Sequence, residues 1–409
     1  MTSQMVLFNQ AGVAISTDTL VSRRYGHGAV KTYPGSSKIY ALGPLHKVVV
    51  LHSGTTILGN LHYQFLIREW SLQLAQPLPH LVDYARNFAE WVGAGARKTQ
   101  IQENGEGGTI NDCMCAELRD LKNFFSDQLT EAFGKCESVE ASPELESSLT
   151  EILDSYESDY FTREPYQDLD EQTVARIIRN ADIDATRHFN QHFPSKNYSE
   201  TMKARLQKFA VDLLLRYVPG DSVAKLNFVG FGSDEPGGGI VEIAIRSFYA
   251  GKLRYVERDR WPEDGSIFPT WRFIAQKDTM DAFLRGIDSN MRSTVIDLAT
   301  WSMINSGEFP EEQIDSFRET FKREMDKFLW ERIESEMVET VGSLGIASLA
   351  RFSDSLVRMQ SLRSAALGDE ATVGGLIETV TITRDNGVQW LRRIPLDVSH
   401  GEESGHVFG

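Results

Sequence analysis

Thr2 is the first residue of this chain with chemistry of its own. It follows the initiator Met directly, and because a small residue there normally lets Met1 be removed, the mature chain is expected to begin with a free threonine. Such a residue holds a nucleophilic hydroxyl and an α-amine with a pKa of about 7.7–8.0 that can act as its base. Many ordinary proteins also start Met-Thr, so this reading depends on what else the sequence brings. His188 and His192 stand four apart on an expected helix with Asp184 one turn before them, a spacing that can present metal ligands. Surface or packing histidines are far commoner at such spacing. Cys113 and Cys115 could form half of a metal site, but no second Cys or His pair stands nearby. Gly230 and Gly232 have the spacing that begins a dinucleotide fingerprint; no third glycine opens a helix and a strand follows instead, so that reading fails. No metal or organic cofactor is expected.

The elements that must position Thr2 begin with a hairpin. Ser3 to Phe8 and Val13 to Thr17 read as strands joined at Asn9-Gln10-Ala11-Gly12, with Gly12 free to take a positive φ. Two further β-rich runs, Lys38 to Leu42 and Val48 to Leu51, are separated by Gly43-Pro44. From Thr55 to Gln76 the apolar residues Leu58, Leu61, Phe65, Leu66, Leu72 and Leu74 predict a helix. Helical periodicity then dominates to about residue 217. The stretch 103–108 reads as a loop, and Pro143 and Pro165 mark boundaries. Strands return at Lys225 to Gly232 and Ile240 to Phe248, around a Gly- and Pro-rich connection. Helices are expected from Lys277, after Phe309-Pro310, and from Leu349 to Leu367. A final hairpin, Ile377 to Thr383 with Val388 to Leu391, closes around Asn386-Gly387. Trp70 and Trp390 read as core or half-buried packing residues, and 399–409 as a polar tail.

Composition narrows the class. With 41% hydrophobic and 24% charged residues over 409 positions, the chain is globular rather than disordered or fibrous. Its formal charge of -16 would repel phosphate backbones and anionic lipid, so neither nucleic acid nor a membrane is expected as a partner. The three cysteines, Cys113, Cys115 and Cys136, are too few for a disulfide framework and point to a reducing compartment. Without a basic leader followed by a long apolar run, the expected location is cytoplasmic. Acidic residues recur through 137–171 with Arg163 the lone cation, a strongly negative face.

Asp18 ends the second strand, Lys38 opens the next, and Ser53-Gly54 ends a strand before expected helix. In that order, these residues resemble the catalytic β-type subunits of the proteasome and related bacterial threonine peptidases, within the N-terminal nucleophile hydrolase superfamily. The Thr2 to Asp18 spacing matches the family pattern without a gap, while the next two intervals are a few residues longer. The resemblance implies Thr2 as nucleophile, Asp18 and Lys38 as its charged partners, and the Gly54 amide as oxyanion donor. These roles are physically sensible: a buried Lys38 ammonium would favour the free amine and steady a developing alkoxide, and Asp18 would keep Lys38 charged. A strand-to-helix turn at Gly54 would aim amides at an anion. Asp18 with Lys38 alone would read as an ordinary ion pair beside a turn. The segments 229–235 and 377–383 resemble the family's central hairpin and penultimate strand. Its supporting serines are absent, with Gln276, Asp369 or Glu370, and Thr372 as candidate substitutes.

The resemblance implies an α+β fold, a four-layer α/β/β/α sandwich with a large helical insertion. The expected division is 2–76, 223–300 and 346–398 for the core, 77–222 and 301–345 for helical insertions, and 399–409 for the tail. The implied activity is hydrolysis of peptide or other amide bonds. Exchange of Thr2 or Lys38 for alanine is expected to abolish it with the melting temperature within a few degrees. A homo-oligomer is expected. The alternative is a non-catalytic scaffold of the same fold that binds a protein partner through its acidic helical insertion.

Overall fold

The computed structural model describes residues 2–24, 30–33, 35–94, 121–122, 143–180, 199–217, 223–249, 252–262, 269–307, 309–366 and 373–394. The chain is mixed α and β, with antiparallel strand pairing, and divides into two compact units. One comprises Met1–Val49, Glu235–Gly238 and Gly265–Gly409; the other comprises Val50–Asp234 and Gly239–Asp264.

In the first unit the expected hairpin is present as β1 (Ser3–Asn9) and β2 (Gly12–Asp18). Gly12 adopts φ 137°, and a Cβ there would stand 2.4 Å from the Ile382 carbonyl oxygen, so both backbone angle and close approach demand glycine. Asn9 secures the turn: its Oδ1 accepts the Ala11 N–H at 2.9 Å, and its Nδ2 donates to the carbonyls of Val341 and Leu344 at 2.8 and 2.7 Å. A small pair and a further strand follow. Strands β3 (Val21–Arg24) and β4 (Val30–Tyr33) bond to each other, and β5 (Ile39–Ala41) lies beside the start of β6 (Val48–Gly54), where the Leu42 N–H donates to the Val48 carbonyl.

Strands β12 (Thr270–Ala275), β13 (Ile377–Thr383) and β14 (Gly387–Arg392) complete a sheet of order β12-β1-β2-β13-β14. The turn before β14 follows the Asn-Gly signal, with Gly387 at φ 62°. The helix Ile346–Ala366 lies across β1, β2 and β13. Its Leu349, Ala350, Leu356 and Val357 join Met5, Leu7, Ala14 and Ile377 of the sheet in one apolar core. Pro310 caps the helix Glu311–Leu329, as its place after Phe309 predicts.

In the second unit β9 (Ala224–Gly230), β10 (Gly239–Tyr249) and β11 (Lys252–Trp261) pair with β6 in the order β11-β10-β9-β6. Two helices, α1 (Tyr63–Ser71) and α2 (Leu81–Gly93), bring Trp70 and Phe88 edge-on to each other at 5.2 Å, with Phe228 of β9 edge-on to Trp70 at 5.9 Å. Trp390, in the other unit, is half-buried under the Arg393 guanidinium at 4.8 Å. The helical stretch includes α3 (Pro143–Thr162), residues 171–180 and α4 (Glu200–Asp212). Arg205 of α4 pairs with Asp154 and Glu157, so the acidic face of α3 is partly neutralised within the fold.

One expected element is corrected. Residues 55–62 are not the start of a helix; they hold the short pair β7 (Ile57–Leu58) and β8 (Leu61–His62), and α1 begins only at Tyr63. Gly59-Asn60 is the cause, because Gly59 takes φ 58° in a two-residue turn that the helical spacing of Leu58 and Leu61 concealed. Besides β7 and β8, four strands lie outside the sequence expectation, β3, β4, β11 and β12, which carry no clear alternation. Among the described residues no helix is long and apolar enough to cross a membrane.

Candidate active site

The first unit gathers four of the sequence-predicted residues at one end of its sheet. Asp18 is the last residue of β2 and is fully buried. Its Oδ1 accepts two bonds: from Lys38 Nζ at 2.7 Å and from the backbone N–H of Ser3 at 2.9 Å. Its Oδ2 accepts the Gly374 N–H at 3.3 Å. The carboxylate therefore holds the lysine with one lone pair and, with another, the residue immediately after Thr2. The hairpin register brings this about, since Gln4 stands opposite Thr17 and Asp18 lies one step beyond.

Lys38 is 5% exposed and also donates to the Leu20 carbonyl at 2.8 Å. Burial pulls its ammonium below the ordinary lysine pKa, and the negative charges of Asp18 and then Glu378 oppose that fall. Thr2 is buried, with its carbonyl accepting the Gln276 N–H at 2.9 Å. The Gln276 carbonyl accepts Ser3 Oγ at 3.0 Å, so Gln276 meets the N-terminal strand through its backbone. Ala275 before it faces Ser3 in the register and adopts φ 65°, a left-handed conformation costly for a residue with a side chain. Neighbouring loops are bonded in as well: Gly374 O accepts the N–H groups of Thr19 and Leu20, and Thr19 Oγ1 donates to Leu376 O at 2.8 Å.

Gly54 belongs to the second unit, at the exposed end of β6. It adopts φ 85°, and a Cβ there would lie 2.0 Å from the Val223 carbonyl oxygen. Glycine is thus required by the backbone angle and by the close passage of Val223, which also accepts the Thr55 N–H. The expected helix N-terminus at Gly54 is absent, because β7 and β8 intervene before α1; no helix start aims its amides from there.

Asp369, Glu370 and Thr372 lie outside the described residues, as do Cys113, Cys115, Cys136, Asp184, His188, His192, the 103–108 loop and the tail. Among the described residues no three His, Cys, Asp or Glu side chains gather as a metal site. Sequence reasoning missed Ser3, Ser37 and Glu378. The last was signalled by a charged residue inside the otherwise apolar and threonine-bearing strand Ile377–Thr383, every position of which is buried or half-buried.

No protein-family model matches the chain, and no curated protein matches it. Among solved structures, a Gly-1 mutant of Anbu from Hyphomicrobium sp. strain MC1 aligns with 97% of this chain and 88% of that one, at 11% identity and a TM-score of 0.29. A likeness at that level assigns neither activity nor site.

Proposed function

We propose that this protein is an N-terminal threonine hydrolase of peptide or other amide bonds, active once Met1 has been removed. The observation that carries the reading is the buried Asp18–Lys38 pair, whose shared carboxylate oxygen also binds the N–H of the residue after Thr2. In the proposed cycle the Thr2 hydroxyl attacks the amide carbonyl while the free α-amine takes its proton and returns it to the leaving amine. Water then releases the acyl group by the same proton relay. Lys38, kept charged by Asp18, favours the neutral amine and steadies negative charge on the hydroxyl oxygen. Glu370 and Thr372 remain candidates for the supporting shell, and Gln276 enters it through its backbone bond to Thr2.

The four-layer α/β/β/α arrangement is part of this proposal; in its support, every residue of β1 and β2 is buried, on both faces of the strands. Self-association is also proposed. It is supported by the helix Ser289–Ser306, which leaves Met291, Leu298, Trp301 and Ile304 each more than half exposed. Sparse cysteines support a cytoplasmic location.

The test is turnover of a panel of fluorogenic peptide amides, with the N-terminal residue of the same sample sequenced. Release of fluorophore by protein that begins at Thr2, lost in Thr2→Ala, is the expected result. A retained Met1 with no turnover would favour the scaffold reading.

A further inference from the structure

We infer that Glu378 is a positioning residue for Lys38, holding it through Ser37 as a second anchor opposite Asp18. This rests on the catalytic reading above. Glu378 is fully buried on β13, one residue past Ile377, which stands opposite Asp18 in the register. Its Oε2 accepts from Ser37 Oγ at 2.6 Å and its Oε1 from the Ile394 N–H at 3.1 Å. Both donors are neutral, and burying a carboxylate on neutral donors alone is costly. The cation that offsets it is Lys38, the residue after Ser37, on which Glu378 acts as the next negative charge after Asp18.

The hydroxyl of Ser37 has one proton to give. It lies 2.6 Å from Glu378 Oε2 and 3.2 Å from the Ile39 carbonyl, so the shorter, charge-assisted bond takes the proton. Ser37 Oγ is then an acceptor toward the Ile39 N–H at 3.5 Å, while the Ser37 carbonyl accepts Tyr40 OH at 3.0 Å. Side chain and carbonyl of Ser37 are thereby each held by a hydrogen bond, which restrains the start of Lys38. From that point the Lys38 chain reaches Asp18 and the Leu20 carbonyl. Among the described residues the charged and titratable groups around the ammonium are Asp18 from β2, Glu378 from β13 and Tyr40 from β5, whose hydroxyl is pushed well above its ordinary pKa by burial and then by Glu378; the free α-amine of Thr2 joins them in the proposed active form. Tyr40 stays neutral, so the cluster is two carboxylates about one ammonium. An ion pair serving only to fill space would need Asp18 alone; the second carboxylate keeps the buried ammonium protonated.

The experiment compares the full-length wild type with Glu378→Gln and Ser37→Ala, following the pH dependence of inactivation by a peptide epoxyketone. Gln retains the shape of Glu378 and an acceptor for Ile394. Because activity requires protonated Lys38, removing a negative neighbour moves the alkaline limb of the profile to lower pH, by roughly one unit, about tenfold in rate at a fixed pH on that limb. Lowering the pH restores Glu378→Gln to the wild-type rate, and Glu378→Asp lies between the two. An unshifted limb in Glu378→Gln, or an equal loss at every pH, overturns the inference. A wild type that forms no adduct overturns the catalytic reading instead. The Lys38 signal in 13C-lysine NMR, assigned with Lys38→Arg, then still decides: its titration falls in Glu378→Gln if the inference is right and is unmoved if it is wrong.

Discussion

Replacing Lys38 with methionine removes a buried cation while keeping most of its volume. Among the described residues the loss leaves Asp18, fully buried, with the Ser3 and Gly374 N–H groups as partners, leaves the Leu20 carbonyl without its 2.8 Å donor, and removes the cation that acts on Glu378. Breaking a buried pair by removing one member costs about 3–5 kcal/mol, because an uncompensated charge stays behind. Two retained backbone donors put this case toward the lower end, about 3 kcal/mol, or roughly 10 °C in melting temperature for a unit of this size. Urea unfolding of wild type, Lys38→Met, Asp18→Asn and the double variant gives the cycle. The double variant is expected to recover at least half of the loss, since it leaves no buried charge at Asp18. A Lys38→Met protein within about 1 kcal/mol of wild type would show that the pair carries no more than an exposed one, and a double variant weaker than both singles would show that the loss is not one of uncompensated charge. Sequence leads to the expectation that loss of Lys38 leaves the melting temperature within a few degrees; burial of the pair predicts a larger fall, and the urea series decides between them. Thr2→Ala is therefore the cleaner test of the proposed catalysis.

Gly54→Ala should lower stability by about 2 kcal/mol or more, because its Cβ meets the Val223 carbonyl at 2.0 Å in a φ 85° conformation; thermal melting unchanged from wild type would show that the strand end relaxes freely. Arg254→Leu strips donors from the Leu213 and Leu214 carbonyls and from Ser247, and removes the guanidinium 4.7 Å over Tyr166. A loss of about 2–4 kcal/mol in urea unfolding is expected, against less than about 1 kcal/mol if those carbonyls rehydrate. The pH–rate profile should rise as the Thr2 amine loses its proton, at a pH below the ordinary range of about 7.7–8.0 because the Lys38 ammonium favours the neutral amine. It should fall again below pH 10.5, the ordinary lysine value, because burial lowers Lys38; a plateau reaching beyond that pH would count against Lys38 as the required cation.

Legibility differed between the two halves of the site for a physical reason. Local signals carried the hairpin of β1 and β2: turn residues at Asn9 and Gly12, and strand formers on either side, fix register over a few residues. Asp18 follows from that register. The contacts that make the pair a buried network are non-local, coming from Gly374, Glu378 and Gln276, hundreds of residues away along the chain. No periodicity of β1 or β2 announces them. Glu378 was visible as an odd residue in a strand, yet only the fold shows that Ser37 and Ile394 receive it. The helix expected at Thr55 failed because Leu58 and Leu61 are three apart in both a helix and a tight hairpin, and Gly59 decides between them. Likewise β11 reads Lys-Leu-Arg-Tyr-Val-Glu-Arg-Asp-Arg-Trp, with charges that hide a strand paired along β10.

The central claim is that Thr2, once Met1 is gone, is a nucleophile with its own base. Intact mass of the purified protein before and after incubation with a peptide epoxyketone tests it most directly, because the warhead needs a free terminal amine and its neighbouring hydroxyl together. A chain lacking Met1 that gains one adduct, mapped to Thr2 and absent from Thr2→Ala, is the expected result. A chain that begins at Thr2, remains folded and gains no adduct would contradict it.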